Sequence, residues 1–372
     1  MTPRFRPAQV GVDLGAIRAN VAELRRRGAP AAVLAVVKAD AYGHGAVPVA
    51  RAALEAGAER LGVAIVEEGV TLRTAGIDAP ILLLSEPPAA VAPAVVEHRL
   101  TATVYTEAGV DAIGLAAHTA GVVVPVHLKV DTGMHRVGCT PDDAVALARR
   151  IDEHAALDLE GVFTHLAVAD EPDDPYTGEQ LARFDAVLDA LTAAGMRPRI
   201  VHAANSAGAL VHPDARHDLV RVGITIYGIP PAGALAPVEG LVPALRLTSE
   251  VTYVKRVPAG TRVSYGLRYA APAETTIVTV PIGYADGVPR RLGHVGGEVL
   301  IGGRRHPIAG TITMDQLLVD VGDAPVAPGD EVVLLGRQGD EEITATEWAD
   351  RLDTIAYEIV CGIGPRVPRE YT

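Results

Sequence analysis

The chain has 372 residues, of which 49% are hydrophobic and 21% are charged, which predicts a folded protein with a large core and excludes disorder. A formal net charge of −13 at pH 7 disfavours nucleic-acid binding, since the basic runs are short. The two cysteines, Cys139 and Cys361, fit neither a disulfide framework nor a zinc site. No apolar segment resembles a signal peptide or reaches the roughly 18 residues of a membrane span, so we expect no membrane contact and a cytoplasmic location.

Short apolar runs alternate with amphipathic helical stretches through the first part of the chain. The runs that predict buried strands are 33–37, 61–66, 80–84, 101–105, 122–130, 159–166, 199–203 and 219–227. Helical patterns between them include 16–27, 46–57, 141–154 and 178–195. Eight strands alternating with helices predict a (β/α)₈ TIM-like barrel, with a doubly wound open sheet as the alternative fold.

The composition changes near residue 240, where glycine and proline become frequent and the helical pattern nearly ends. Strand-like runs follow at 247–257, 275–282, 297–301, 307–312, 316–321 and 331–336, with a short helix near 346–353. We therefore expect an α/β barrel domain over 1–240 and a mostly β domain over 241–372. Residues 1–11 are expected to add a strand to either domain, and pairing with the β domain is one of the two arrangements.

Polar residues gather at the carboxyl ends of the predicted barrel strands, where barrel enzymes place their active sites. These candidates are Lys38, Lys129 with Arg136, His165, Asn205 with Ser206, and Arg221 with Gly223. Each has an ordinary structural interpretation on its own: a solvated charge, a hydrogen-bonded core histidine or a helix N-cap. Their clustering favours an enzyme over a structural protein.

Lys38 and the last two strand ends suggest a particular class of cofactor. Lys38 follows five apolar residues, and burial lowers the pKa of an amine, as a Schiff-base lysine requires. Ser206, Gly208 and Gly223 lie where barrels form a phosphate site. An imine-forming lysine beside a phosphate site suggests pyridoxal phosphate, although other phosphorylated ligands remain open at this point.

The chain resembles the alanine racemases over essentially its whole length. The most specific block is 36–45, VVKADAYGHG, which is similar to the cofactor-lysine signature of that family. Supporting blocks are 129–138, 204–206, 221–224, 264–266, 283–287, 314–316 and 356–358. The resemblance implies a pyridoxal-phosphate enzyme made of a barrel and a C-terminal β domain.

The resemblance also implies a role for each matching residue. Lys38 holds the cofactor covalently and acts as one acid/base, and Tyr265 from a second subunit acts as the other. The cofactor ring and phosphate are assigned to Tyr42, His165, Asn205, Ser206, Arg221, Tyr357 and the backbone of Gly223 and Ile224. Arg136 and the Met314 backbone hold the substrate carboxylate and a cofactor oxygen, and Tyr284 lines the substrate entrance. Lys129 matches a position that is often carbamylated, and no metal is implied.

The implied function is racemisation of L- and D-alanine by two bases in a homodimer, supplying D-alanine for cell-wall peptidoglycan. A tyrosine base needs nearby positive charge, which we expect from the side of the site that holds His165 and Arg221. The sequence departs from many relatives at Thr313, where cysteine is frequent, and at Asp40, where asparagine is common.

Three alternatives stay open to different degrees. A racemase of broader specificity, acting for example on serine, is compatible with all of these residues. A decarboxylase of the same fold is disfavoured, because such enzymes usually place a carboxylate, not Arg221, at the pyridine nitrogen. A non-catalytic cofactor-binding barrel would have no use for Tyr265.

Overall fold

The computed structural model describes residues 5–231, 235 and 238–372, which form two compact units. The barrel unit comprises Ala16–Ala41 and Ala46–Val242. The β unit comprises the N-terminal residues through Gly15, the short segment Tyr42–Gly45, and Pro243–Thr372. Among the helices of the described residues, none has the length and apolarity needed to cross a bilayer.

The barrel unit contains eight parallel strands, which follow a first strand, β1 (Gln9–Val12), that belongs to the β unit. The barrel strands are β2 (Ala32–Val36), β3 (Arg60–Val63), β4 (Ile81–Leu83), β5 (Ala102–Val104), β6 (Val124–Lys129), β7 (Leu157–Phe163), β8 (Ile200–His202) and β9 (Leu219–Val222). They pair in the orders β4-β3-β2-β9 and β5-β6-β7-β8.

Backbone contacts join these two groups of four strands into a closed barrel. A parallel bridge between Leu82 and Thr101 connects β4 to β5. The amides of Asp218 and Arg221 donate to carbonyls of Val201 and Ala204, which connects β8 to β9. The predicted TIM-like barrel is therefore confirmed, and the open doubly wound sheet is excluded.

Helices separate the barrel strands in the expected alternation. They are α1 (Leu14–Gly28), α2 (Ala46–Glu55), α3 (Val66–Thr74), α4 (Ala92–Glu97), α5 (Glu107–Ala120), α6 (Ala144–Glu153), α7 (Tyr176–Ala193) and α8 (Ser206–Val211). Helix α5 shows why the sequence forms them. The Thr106 hydroxyl caps its first turn, Val110, Ile113 and Ala117 form a buried stripe at helical spacing, and Gly121 ends it with φ 67°.

The β unit is built mostly from antiparallel strand pairs, with β1 inside its largest sheet between antiparallel β10 and parallel β20. Its further strands are β10 (Leu245–Glu250), β11 (Tyr253–Val257), β12 (Arg262–Val263), β13 (Tyr269–Ala270), β14 (Thr275–Val280), β15 (Glu298–Ile301), β16 (Arg304–Pro307), β17 (Leu317–Gly322), β18 (Glu331–Gln338), β19 (Glu341–Ile343) and β20 (Arg369–Tyr371). Two helices accompany them, α9 (Ala345–Leu352) and α10 (Ala356–Cys361). The largest sheet has the order β16-β15-β18-β10-β1-β20, with β19 on β18, so the N-terminal strand lies inside the β unit.

Two strand predictions in this unit differ from the structure. The predicted run 247–257 is two strands, because the chain leaves the ladder between Glu250 and Tyr253. The predicted strand at 307–312 is wrong: β16 ends at Pro307, and beyond it Ile308 forms an isolated bridge to Val319 without continuing a strand. Proline has no N–H to continue a ladder, and Gly310 adopts φ 84°, which turns the chain away.

A left-handed turn follows Lys38, where the sequence shows no glycine. Ala39, Asp40, Ala41 and Tyr42 have φ between 51° and 53°, a conformation that costs roughly 1–2 kcal/mol for each non-glycine residue. Within the barrel unit, Glu68 accepts a hydrogen bond from the Ala39 amide at 2.6 Å. Such accumulated strain persists only where the surrounding structure holds it and is frequent at functional sites.

Replacing Ala39 by glycine tests this strain. Glycine adopts positive φ without a Cβ penalty, so Ala39→Gly should stabilise the barrel unit by about 1 kcal/mol, after allowing for the greater entropy of the unfolded chain. The matched control is Ala22→Gly at an exposed position in α1, which should destabilise by about 1 kcal/mol. Urea-unfolding midpoints should shift in opposite directions, and a shift in the same direction for both variants would contradict the strained turn.

Candidate active site

The carboxyl ends of the barrel strands place the predicted polar residues at one rim of the barrel. Lys129 is the last residue of β6, and Arg221 lies in β9 one residue before its end. Lys38, His165 and Asn205 each follow a strand within three residues. Because all eight strands are parallel, these positions share the face at which barrel active sites form.

Positive charge is concentrated at this rim. Burial lowers the pKa of His165 well below its ordinary value, and four cations lower it further: Arg221, Lys129, Arg136 and Lys38. The imidazole of His165 is therefore neutral at pH 7. Four cations that act on one buried side chain favour an anionic ligand, since an anion would relieve their mutual repulsion.

Lys129 is a buried amine with an unusual ionisation. Burial and the charges of Arg221 and Arg136 lower its pKa to about 7. Its Nζ donates to the carbonyl of Leu84 at 3.2 Å and lies 5.3 Å from the ring centroid of Phe163. The whole chain has only three lysines, and Lys129 and Lys38 are two of them.

Arg221 is a buried guanidinium whose hydrogen-bond partners are all neutral. Its Nη1 donates to Nδ1 of His202 at 2.9 Å, and its Nη2 lies 2.8 Å from the carbonyls of Thr164 and Ala203 and 3.1 Å from Nδ1 of His165. Burial lowers its pKa to about 9, which leaves the group charged at neutral pH. No carboxylate among the described residues forms an ion pair with Arg221, so its charge is available to a ligand.

The ends of β8 and β9 form a compact set of hydrogen-bond donors. The Ser206 hydroxyl oxygen accepts from the Gly223 amide at 2.9 Å and from the Thr225 hydroxyl at 3.1 Å. Because both of these contacts use the oxygen of the buried Ser206 hydroxyl, its hydrogen can be donated to another acceptor. The first amides of α8 and of the 3₁₀ turn Ile224–Tyr227 have no partner within their own helices, which is the arrangement that binds phosphate.

The loops around this donor set are held in place by neighbouring side chains. Asn205 caps α8 by accepting from the Gly208 amide at 2.9 Å. Tyr227 donates from its hydroxyl to the carbonyl of Val36 at 2.9 Å, which ties the turn after β9 to the strand before Lys38. The amide of Gly223 donates to the Ser206 hydroxyl and so orients that side chain.

Tyr265 lies in the β unit on a strained and exposed turn. Its side chain is 72% exposed, and the flanking Ser264, Gly266 and Leu267 have φ of 63°, 73° and 49°. The Ser264 hydroxyl donates to the carbonyl of Thr311, and the Thr311 hydroxyl donates to the carbonyl of Tyr265 at 2.8 Å. This reciprocal pair fixes the turn, so the phenol is presented outward from a rigid backbone.

The remaining predicted residues of the β unit form two further groups. The Tyr42 and Tyr357 rings lie 6.0 Å apart at an interplanar angle of 50°. Tyr284 and Met314 are both exposed, and the amide of Tyr284 donates to the carbonyl of Thr313.

Thr313 has a local structural role. Its hydroxyl donates to the carbonyl of Gln316 at 2.8 Å, which closes the turn that carries Met314. With Ser264, Tyr265 and Gln316, it lines an open cavity of about 450 Å³ in the β unit. A hydroxyl at this position is therefore satisfied within the turn.

Sequence reasoning missed several residues that shape the site. Thr225 holds Ser206, His202 and the Thr164 carbonyl hold Arg221, and Leu84 accepts from Lys129. His202 could have been identified from the sequence, because it is a polar residue at the end of a buried strand. Contacts made by backbone carbonyls leave no sequence signal.

Two family models match the chain in succession: the alanine racemase N-terminal domain over residues 12–231 and the alanine racemase C-terminal domain over 244–371. The chain is 52% identical over 368 residues to the alanine racemase of Symbiobacterium thermophilum, covering 99% of this chain and 97% of that protein. The crystal structure of alanine racemase from Streptomyces lavendulae matches with a TM-score of 0.94 and 42% identity, covering 100% of this chain and 98% of that one. A histidine racemase from Leuconostoc mesenteroides matches with a TM-score of 0.90 and 30% identity, covering 100% and 99%.

The shifted pKa of Lys129 predicts a pH dependence of stability. Its pKa is about 7 in the folded chain against the ordinary 10.5, so between these values the unfolded chain binds a proton that the folded chain lacks. The free energy of unfolding should therefore rise with pH across this window, by up to about 1.4 kcal/mol per pH unit for this group. In Lys129→Met this part of the rise should disappear.

Urea unfolding between pH 7 and 10, in buffer free of carbon dioxide, measures the effect. Lys255→Met, at an exposed position of β11, is the control and should retain the wild-type slope. Equal slopes for wild type and Lys129→Met would show that the buried amine keeps an ordinary pKa.

Proposed function

The chain belongs to the alanine racemase family, and we propose that it interconverts L- and D-alanine with pyridoxal phosphate, a cofactor on which that family depends. The observation that carries the proposal is the barrel rim, where Lys38 lies among further cations and Arg221 has only neutral partners. This set of groups matches the three polar parts of pyridoxal phosphate. These are a doubly charged phosphate, an aldehyde that reacts with an amine, and a ring nitrogen that accepts a hydrogen bond.

The residues of the rim fit the cofactor on three counts. The Ser206 hydroxyl, oriented by Gly223 and Thr225, has its hydrogen available for a phosphate oxygen. Arg221 carries a buried charge that nothing in the described residues neutralises. Lys38 lies on the same rim and provides the amine. The family resemblance adds Tyr42, Asn205, Ile224 and Tyr357 to the phosphate side and His165 behind the ring.

Arg221 is the residue that selects the reaction. When bound, the cofactor withdraws electrons from the α-carbon of the amino acid and acidifies its α-proton. Arg221 is a cation and a poor proton donor, so beside the ring nitrogen of the cofactor it would disfavour protonation of that nitrogen. Electron withdrawal would then be moderate, and return of the proton to the α-carbon would be favoured over transamination.

Two side chains would move the α-proton, one on each face of the substrate. Lys38 is one base, and Tyr265 is the other. A phenol has an ordinary pKa near ~10, so Tyr265 needs cations in its surroundings to accept a proton at neutral pH. The cationic barrel rim offers such surroundings.

We propose that Tyr265 reaches the rim of a second copy, so that the working enzyme is a homodimer with shared sites. Tyr265, Leu267 and Met314 are large apolar side chains that are 72%, 51% and 52% exposed in the single chain. Side chains of this kind in the β unit are suited to burial against a partner. The rigid turn around Tyr265 would keep the phenol in place for that partner.

Substrate binding is assigned to Arg136 and the Met314 backbone, with Tyr284 at the entrance. A neutral Lys129 amine can add to carbon dioxide, giving a carbamate and releasing one proton, and its pKa of about 7 makes that amine available. The carbamate would be an anion close to Arg136 and would orient it. Lys129 would then lower the positive charge of the rim.

The choice of amino acid is less constrained than the reaction. A relative on the same fold at 30% identity is a histidine racemase, so a racemase with another or a broader preference, including serine, is the second candidate. A decarboxylase is disfavoured, because such enzymes usually present a carboxylate to the pyridine nitrogen, and the resemblance assigns that position to Arg221, whose described partners include the neutral His202 and His165.

Reduction with borohydride tests the cofactor and the activity together. The purified protein loaded with pyridoxal phosphate should racemise L- and D-alanine faster than serine or histidine. Borohydride should abolish activity and leave the cofactor on the peptide that contains Lys38, with the peptides of Lys129 and Lys255 as internal controls. A label on another lysine would overturn the assignment, and faster turnover of histidine would favour the second candidate.

Tyr265→Phe tests the two-face arrangement. Removing the phenol should reduce α-proton exchange from one enantiomer far more than from the other, with the larger loss for L-alanine, because Lys38 still serves the opposite face. Exchange into deuterated water from each enantiomer measures this. Tyr253→Phe, at an exposed position of β11, is the control and should change neither rate. Equal loss for both enantiomers with Tyr265→Phe would contradict the two-base assignment.

A further inference from the structure

A row of hydrogen bonds crosses the barrel interior and ends at Arg221. The barrel network, as we call it, consists of Arg60, Glu160, His127, His202 and Arg221. Arg60 donates through both Nη atoms to the Glu160 carboxylate at 2.8 Å. Nε2 of His127 lies 3.0 Å from Glu160, its Nδ1 lies 2.8 Å from Nε2 of His202, and Nδ1 of His202 lies 2.9 Å from Nη1 of Arg221.

Both ends of the barrel network impose the same direction on its protons. Although burial opposes its ionisation, hydrogen bonds from His127 and Arg60 lower the pKa of Glu160 to about 2, so this carboxylate only accepts. The guanidinium of Arg221 only donates. His127 must therefore carry its proton on Nε2.

The rest of the proton arrangement follows link by link. Nδ1 of a neutral His127 accepts, so His202 must donate from Nε2. Nδ1 of His202 is then left to accept from Arg221. A proton on both nitrogens of His127 would force a proton onto Nδ1 of His202, where it would face the Arg221 donor. Burial lowers the pKa of both histidines, in agreement with neutral rings.

Packing prevents the two imidazoles from turning over. Both rings are fully buried, and Phe163 stacks on His202 with centroids 4.5 Å apart and planes 7° from parallel. Gly161 leaves room for His127, since a Cβ at this position would lie 2.6 Å from atoms of that ring. With the rings fixed, the network can reverse only if protons move between ring nitrogens.

We propose that Glu160 is a positioning residue for Arg221. By accepting from His127, it reinforces the direction that Arg221 imposes and helps to keep an acceptor nitrogen turned toward the guanidinium. Without that acceptor the buried Nε2–H of His127 has no partner, only Arg221 holds the direction, and the reversed arrangement gains population. In that arrangement His202 presents an N–H to the Nη1 donor of Arg221. The consequence for catalysis rests on the function proposed above, in which Arg221 limits transamination.

Two substitutions of Glu160 separate its hydrogen bond from its charge. Glu160→Met removes the acceptor and the charge while keeping a similar volume. Glu160→Gln also removes the charge that pairs with Arg60, but its amide oxygen still accepts from His127. The proposal requires the glutamine variant to behave like wild type and the methionine variant to differ.

The direct readout is ¹⁵N NMR of histidine-labelled protein loaded with cofactor. In wild type and Glu160→Gln, His127 and His202 should both show the neutral tautomer with the proton on Nε2. In Glu160→Met, signals of the tautomer with the proton on Nδ1 should appear. Unchanged tautomers in Glu160→Met would overturn the proposal, and so would a Glu160→Gln spectrum that matches Glu160→Met, since the charge would then be responsible.

The second readout is the ratio of transamination to racemisation. In Glu160→Met it should rise by roughly tenfold, as expected for loss of one hydrogen bond to a charged group, while Glu160→Gln should stay within about twofold of wild type. If wild type shows the predicted tautomers but does not racemise alanine, the proposed function fails and the assignment of the network stands. A rise in the ratio of the same size in both variants contradicts the positioning role.

His127→Leu provides a second break if Glu160→Met does not fold. This variant removes the hydrogen bonds of His127 to Glu160 and to His202, and it leaves the Arg60–Glu160 ion pair intact. His202 should then show both neutral tautomers, and the transamination ratio should rise as in Glu160→Met. A His202 that keeps its proton on Nε2 in His127→Leu would show that the network does not set its tautomer.

Discussion

The site depends on one constraint: Arg221 and Lys129 are buried cationic groups that form no ion pair with a carboxylate in the part of the chain that the structure describes. Removing an ion from water costs several kcal/mol unless hydrogen bonds or opposite charges compensate. Arg221 is compensated by carbonyls and neutral imidazoles, and Lys129 by a lowered pKa of about 7. Such a site is least stable when empty, so an anionic ligand that binds the folded chain stabilises it. Binding of the proposed cofactor would be coupled to folding in this way.

Backbone strain is concentrated where chemistry is assigned. Four residues after Lys38 adopt a left-handed conformation, and the turn that carries Tyr265 has two non-glycine residues with positive φ. Both segments are held by specific hydrogen bonds, from Ala39 to Glu68 and from Ser264 to Thr311. A strained segment with such restraints has few alternative conformations, so it can hold a reactive amine or phenol in one orientation.

The sequence predicted the barrel because buried parallel strands leave a strong pattern, and it predicted the rim because polar residues end those strands. It did not predict the left-handed turn, since no glycine marks it. The barrel network was also missed: His127 and Glu160 lie inside strands β6 and β7, far apart in sequence, and only the closed barrel brings them together. A polar residue within an otherwise apolar strand is the signal that could have identified them.

Reaction type and substrate choice are assigned to different parts of the molecule. Arg221, to which we assign the preference for racemisation over transamination, lies in the barrel unit, where strand β9 and its hydrogen bond to His202 hold it. The residues assigned to the substrate entrance, Tyr284 and Met314, are exposed and lie in turns of the β unit. Turns accept substitution more readily than a closed barrel interior. A histidine racemase of the same fold is therefore expected to differ at such turns while keeping the residues of the barrel interior, because function is set by the residues of a site and not by the fold.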